Sequence, residues 1–197
     1  MNLTLSPPSD RCLTFSDVGW LQFQTIVTAF DTVAGIRFAY LDGTLDIMTN
    51  SFDHEEYKKT IAVLLEAYLR VSGIRFYAQG SPMLGSEAQQ ARKEPDECYS
   101  LAIKKTIPDL AIEVIFTSGG VDKLKLYQRL GVPEVWLWED GVLQVYELTD
   151  VGYQQRHQSK LLPKLDLTLL SRHITYHDQF DAVTEFLAAL AQEDAAS

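Results

Sequence analysis

The stretch from Pro108 to Glu139 constrains the fold more than any other part of the chain. PDLAIEVIF is a short apolar run with a single internal glutamate, and it reads as a strand. TSGGVD follows as a loop. KLKLYQRL then sets Leu124, Tyr127 and Leu130 at helical spacing and stops at Gly131, and PEVWLWE is again a strand. Strand, helix and strand within residues 109–139 make a βαβ unit. Its crossover is expected to be right-handed, with the two strands parallel and adjacent. Val135 and Leu137 occupy one face of the second strand and Trp136 and Trp138 the other. Two such bulky faces need a helix on each side or a second chain.

Both kinds of pattern recur around this unit. Ser16 reads as a helix N-cap, and SDVGWLQFQTIVTAF puts Trp20, Phe23, Val27 and Phe30 on one helical face. IRFAYLDGTLDIM alternates about Asp42-Gly43 and predicts a hairpin. From Asp53 to Val71, Tyr57, Ile61, Leu64, Leu65 and Tyr68 recur at helical spacing ahead of Gly73. GIRFYAQG predicts a short strand, SEAQQARKE an exposed loop or turn, and PDECYSLAI another strand. VLQVYEL returns through the turn Glu139-Asp140-Gly141, GYQQRHQ is a candidate third strand of that meander, and DQFDAVTEFLAALAQ predicts an amphipathic helix. The class is α/β, with a mixed β-sheet flanked by helices and with an N-terminal helix and hairpin. Residues 1–14, with Pro7 and Pro8, read as a loose lead-in, 15–192 as a single domain, and 193–197 as a frayed C-terminus.

Composition narrows the class without naming an activity. A chain of 197 residues, 46% hydrophobic and 22% charged, matches an ordinary globular domain and excludes collagen, coiled coil and wholesale disorder. The net charge of −10 argues against a surface that attracts nucleic acid or anionic membrane everywhere, although it leaves room for a local basic cleft. Cys12 and Cys98 lack any CxxC spacing, so neither a zinc site nor a disulfide framework is expected. The start MNLTLSPPSDRC is unlike a signal peptide, and no apolar run approaches the ~20 residues that span a bilayer. A cytoplasmic protein without membrane contact is the expectation. GxSxG, P-loop, GxGxxG and HExxH motifs are absent.

The informative residues are charges that do not fit the core pattern. Glu113 stands between Ile112 and Val114. A carboxylate there is costly unless it is paired, protonated or bound to a cation. Strand alternation puts Glu113 on one face with Ala111 and Ile115, and a salt bridge at a strand end is the plainer alternative. Asp96 follows Pro95 at the start of the preceding strand. Adjacent strands lie ~4.8 Å apart, so two carboxylates on one face can share a divalent cation. Asp109 also follows a proline and reads equally well as an acid at a strand entrance. Lys123 sits in the first helical turn, unfavourable there by roughly 0.3–1 kcal/mol unless something requires it, and it can swing back over the Glu113 strand. Lys125 competes for that role. His54, Glu55 and Glu56 open the long helix, where the two glutamates complement the helix dipole and His54 falls near the Ile61 and Tyr68 face.

An acid on a helix, then PD, then an acid inside an apolar strand resembles the PD-(D/E)xK nuclease superfamily. More closely, PDLAIEVIFTSGGVDKLKLYQRLGVPEVWLWEDGVLQVYEL resembles the Uma-two family of restriction-endonuclease-like proteins, as do FAYLDGTLDIM, the HE at 54–55 and EPDECY at 94–99. The resemblance covers roughly residues 15–190 and implies a restriction-endonuclease-like core. Asp96 matches the PD aspartate and Glu113 the second acid. The superfamily lysine stands two residues after that acid, where this chain has Ile115. The Uma pattern instead places a lysine on the next helix, four residues before a tyrosine, and with Tyr127 that is Lys123. Glu55 matches the helix acid, with Glu56 a close rival.

What the resemblance implies is a metal-dependent endonuclease acting on nucleic acid, with DNA expected. Asp96 and Glu113 would hold Mg²⁺ or Mn²⁺, Glu55 would add a ligand directly or through water, and Lys123 would stabilise the phosphorane-like state or orient the attacking water. Arg92, Lys93, Lys104, Lys105, Lys123 and Lys125 flank the site in sequence and can form a positive rim. A homodimer is expected, since twofold pairing suits the cutting of two strands. The competing class is a non-catalytic homodimeric binding or scaffold module on the same fold, which the acidic charge favours. Another metal-dependent hydrolase is the third reading.

Overall fold

A computed structural model describes residues 10–176 and 178–196. The described residues form two sheets and five helices. Strand β1 (Arg11–Phe15) and helix α1 (Trp20–Ala29) precede β2 (Ile36–Leu41) and β3 (Thr44–Thr49). The long helix α2 (Phe52–Val71) leads to β4 (Phe76–Ala78), β5 (Leu84–Ser86), β6 (Ala91–Lys93) and β7 (Glu97–Leu101). The βαβ unit follows as β8 (Leu110–Ile115), α3 (Lys123–Leu130) and β9 (Glu134–Glu139). The chain closes with β10 (Val142–Thr149), β11 (Gly152–Arg156), α4 (Leu167–Ile174) and α5 (Gln179–Ala196).

The first sheet has the order β1-β3-β2-β6-β5 and the second β11-β10-β9-β8-β7-β4. Among the described residues only β8 and β9 pair parallel, as a βαβ connection demands, so the second sheet is mixed and the class is α/β. This is the mixed sheet flanked by helices that the sequence predicts, and the other sheet arises because the predicted hairpin recruits strands on both sides. Its turn is tight, with Asp42 and Gly43 both at positive φ, and β2 and β3 pair from Ile36↔Thr49 to Leu41↔Thr44. β1 then pairs with β3, and β6 with β2.

Four expectations change in detail. The loose lead-in of 1–14 ends earlier, because Arg11–Phe15 pairs with β3, and residues 1–9 lie outside the described residues. SEAQQARKE, expected as an exposed loop or turn, holds a turn at 87–90, but its ends belong to the strands β5 and β6 that the turn joins as a hairpin. The first helix is capped at Gly19, where the Gln22 side chain accepts the Gly19 N–H, and Ser16 lies outside it. At the other end the backbone stays helical through Ala196, so only residue 197 of the expected frayed segment lies outside the described residues.

The layers follow from strand alternation. Ile112, Val114, Trp136 and Trp138 face α2, α4 and α5 in the larger core. Ala111, Val135 and Leu137 face the opposite way, against Leu126, Tyr127 and Leu130 of α3 and Ala39, Leu41 and Ala91 of the first sheet. Helix α1 covers the far side of the first sheet with Trp20 and Phe23 on Phe38, Tyr40 and Leu45. Both faces of β9 are thus buried by the chain's own elements, and the tryptophans do not require a second copy. Glu113 shares the face of Ala111 and points between the two sheets.

Candidate active site

Between the sheets, Glu113 is 1% exposed and Lys93 4% exposed, and Lys93 Nζ lies 3.0 Å from Glu113 Oε2. Lys93 reaches this place because β6 alternates Ala91 and Lys93 toward the second sheet, Ala91 entering the apolar core beside it. Lys123 Nζ lies 3.5 Å from the same oxygen. It is delivered by the first turn of α3, whose N-cap Asp122 accepts the Lys125 N–H. The Tyr127 hydroxyl donates to Glu113 Oε1. Burial opposes charge on Lys93, but the neighbouring Glu113 and Asp96 carboxylates outweigh it and raise its pKa above the ordinary lysine value. Burial and the Glu113 charge hold Tyr127 neutral, with a pKa well above the ordinary phenol. Lys125 instead points to solvent beside Asp122.

Asp96 lies where the chain passes from β6 in the first sheet to β7 in the second. Its Oδ2 accepts the Val114 N–H at 2.8 Å, one residue beyond Glu113. Its Oδ1 faces His54 Nε2 at 3.2 Å. Burial opposes its ionisation, yet the His54 contact, the Lys93 charge and the Val114 N–H lower its pKa to about 2. His54 projects from the start of α2, where Ser51 caps the helix by accepting the His54 N–H. Its Nδ1 sits 2.7 Å from Asp10 Oδ2, while Asp10 Oδ1 accepts the Ser51 N–H at 2.6 Å. Burial disfavours the imidazolium, but Asp96 and then Asp10 outweigh it and raise the His54 pKa above its ordinary value. His54 Nε2 nevertheless makes no well-directed hydrogen bond and is buried.

The loop between β8 and α3 is fixed by a third acid. Asp46 on β3 is buried and accepts the N–H groups of Gly120 (3.0 Å) and Val121 (2.9 Å) and the Thr14 hydroxyl (2.6 Å). A side chain at Gly119 would meet Asp46 Oδ2 at 2.1 Å, so glycine is required there. Asp46 thereby ties the first sheet to the turn that aims Lys123.

Asp10, His54, Lys93, Asp96, Glu113 and Lys123 all line one cleft of about 20 Å³. That volume holds about one water-sized group, so any larger substrate lies across the mouth. The remaining candidates lie elsewhere. Glu55 is outside the lining of this cleft, with Oε1 accepting from Asn50 (3.0 Å) and Oε2 paired with Lys58 (3.1 Å). Glu56, its rival, lines a separate groove with Tyr57 and Tyr176. Asp109 pairs with Lys105 and accepts the Leu101 N–H, a structural role at a strand entrance. Sequence reasoning missed Asp10, which lies in the presumed lead-in, and Asp46, which looks like an ordinary residue of a hairpin. It placed Lys93 on a rim when the residue is buried. The alternation of Ala91 and Lys93 was the available signal, over too short a run to stand out.

Among the described residues, no group of three or more His, Cys, Asp or Glu side chains is arranged to hold a metal ion. Two carboxylates on one cleft is nevertheless the number that Mg²⁺ commonly takes from protein, water and substrate phosphate completing its shell. The donor chemistry of Asp96 and Glu113 therefore fits a hard divalent cation. No helix among the described residues is long and apolar enough to cross a membrane.

The family model Uma2, described as "Putative restriction endonuclease", matches residues 23–175. No curated protein matches the chain. Among solved structures, the chain is similar to "a putative nuclease belonging to DUF820" from Anabaena variabilis ATCC 29413. The two share 12% identity with a TM-score of 0.43, over 76% of this chain and 90% of that one.

Proposed function

The chain belongs to the Uma2 family, and from that premise we propose that it is a metal-dependent endonuclease hydrolysing phosphodiester bonds of nucleic acid, DNA foremost. The observation that carries this reading is the gathering of Asp96, Glu113, Lys93 and Lys123 on one small cleft. Asp96 and Glu113 would hold Mg²⁺ or Mn²⁺. When bound, such an ion lowers the pKa of an attacking water and offsets charge on the scissile phosphate.

The chain's own residues do the rest. The Val114 N–H fixes Asp96 and keeps its carboxylate turned to the cleft. Lys93 and Tyr127 hold Glu113 in place from opposite oxygens. Lys123, the more accessible of the two lysines on Glu113, can present its ammonium to a phosphate at the mouth or orient the water. Asp10 holds the His54 ring against Asp96. The two free cysteines suit a reducing compartment, and we place the protein in the cytoplasm, acting as a homodimer.

One observation favours the second reading, a non-catalytic binding module. Both Glu113 oxygens already have partners in Lys93, Lys123 and Tyr127, which compete with a metal for the same lone pairs. Plasmid DNA and single-stranded DNA incubated with the chain in Mg²⁺ or Mn²⁺ separate the two. Cleavage that EDTA abolishes supports the nuclease, and intact DNA under every metal condition moves the assignment to the binding module.

A further inference from the structure

Two features at or beside the cleft are not used by the hydrolytic chemistry. Phe116, just beyond β8, is 49% exposed. Its ring is nonetheless fixed from behind, with centroids 6.0 Å from His54 and 5.7 Å from Tyr57, and Tyr57 is backed in turn by the buried Trp138 at 6.0 Å. An aromatic face held rigidly against solvent loses little conformational freedom when something stacks on it. The second feature is Arg11, an exposed residue that lines the cleft and makes no ion pair among the described residues. The two are neighbours in space. Thr117 donates to the Asp10 carbonyl at 3.3 Å, and Arg11 and Phe116 each adjoin one end of that hydrogen bond.

We infer that the site takes a single-stranded nucleic acid, with an unpaired base stacked on Phe116 and a neighbouring phosphate on Arg11. This deepens the nuclease reading and rests on it for the position of the scissile phosphate. The base face is what selects the class. In a duplex each base face is covered by its neighbours, whereas an unpaired base can leave the stack and lie on a side-chain ring. The charge distribution agrees. A chain with a net charge of −10 is poorly suited to follow two phosphate backbones over many base pairs, while one guanidinium and one ring beside the acids suit a local grip on one strand. The cleft is too small to admit a base, so the base lies outside it, where Phe116 is.

The test is fluorescence anisotropy with labelled DNAs whose strands are each 12 nucleotides long, without added metal, so that binding is read apart from cleavage. The probes are a single strand, the same strand made abasic, and a blunt duplex. The wild-type chain is expected to bind the single strand tightest. Phe116→Ala weakens that binding at least about fivefold, the lower end of the loss of one base–aromatic stack, and leaves the abasic strand unaffected. Phe116→Trp restores it, which separates stacking from misfolding. Arg11→Gln weakens both single strands and lowers the salt dependence of binding. Equal affinity for single strand and duplex, or unchanged single-strand affinity in a folded Phe116→Ala, overturns the inference. Phe116-dependent binding with no cleavage of any DNA in Mg²⁺ or Mn²⁺ would sink the nuclease reading alone. Cleavage of duplex and single strand at equal rates, insensitive to Phe116, would sink this inference alone.

Discussion

Lys93 and Glu113 show why a buried ion pair must be judged as a pair. Each charge is almost fully removed from water and answers the other at 3.0 Å. Removing Lys93 leaves Glu113 buried with only Lys123, at 3.5 Å, and the Tyr127 hydroxyl as partners, so Lys93→Met is expected to destabilise the fold by at most about 3–5 kcal/mol, the range for a fully orphaned buried charge. Adding Glu113→Gln should return much of that loss, and urea unfolding of the two single variants and the double variant checks it. Additive losses would mean that the two residues do not act on each other. Asp96 gives a pH signature. Its folded-state pKa lies below that of an unfolded aspartate, so its ionised form stabilises the fold above about pH 4. That contribution disappears as the pH falls toward about 2. Wild type in EDTA should therefore lose more stability over this interval than Asp96→Asn, and parallel curves would contradict it. The acids were legible in sequence because Glu113 broke an apolar run and Asp96 followed a proline. Lys93 was not, since its strand is three residues long and a lysine after a turn looks like surface.

At the scale of elements, the βαβ unit was readable because three independent signals agree: apolar runs, a helical stripe ending at Gly131 in the left-handed region, and turn residues between. What was not readable is the first sheet as a sheet. β1 shows almost no apolar alternation, being mostly exposed along its length, and β5 and β6 are too short for a period to appear. Their pairing is decided by the β2–β3 hairpin they flank. Helix α4, as short as α3, was missed because no glycine or proline marks its C-terminal end, which is capped at Thr175. Helix α3 supports a direct test. Lys123 faces Glu113 and Lys125, 75% exposed at its side chain, faces Asp122. Lys123→Ala is expected to lower metal-dependent cleavage at least about tenfold, or ~1.4 kcal/mol of transition-state stabilisation, while Lys125→Ala changes it little. Equal rates for wild type and a folded Lys123→Ala would remove the lysine from the mechanism.

For the whole molecule, the site exists only where the two sheets meet. Glu113 comes from the second sheet, Lys93 from the first, Asp96 from the passage between them, and His54 from the helix that covers the second. Asp46, on the first sheet, holds the loop that carries Lys123. The two tryptophans, covered internally, give no reason to expect a homodimer, and that expectation rests instead on exposed edges such as β1, with Leu13 and Phe15 uncovered. Sedimentation at micromolar concentration is expected to give twice the 22.2 kDa chain, and a species of 22.2 kDa rejects the dimer. The most direct test of the account as a whole is the rate of plasmid nicking in Mg²⁺ or Mn²⁺ by wild type beside Asp96→Asn, both shown to be folded. The account predicts nicking by wild type and a loss of at least about a hundredfold in the variant, as expected when a charged metal ligand is neutralised. Nicking at the same rate by both proteins would contradict it.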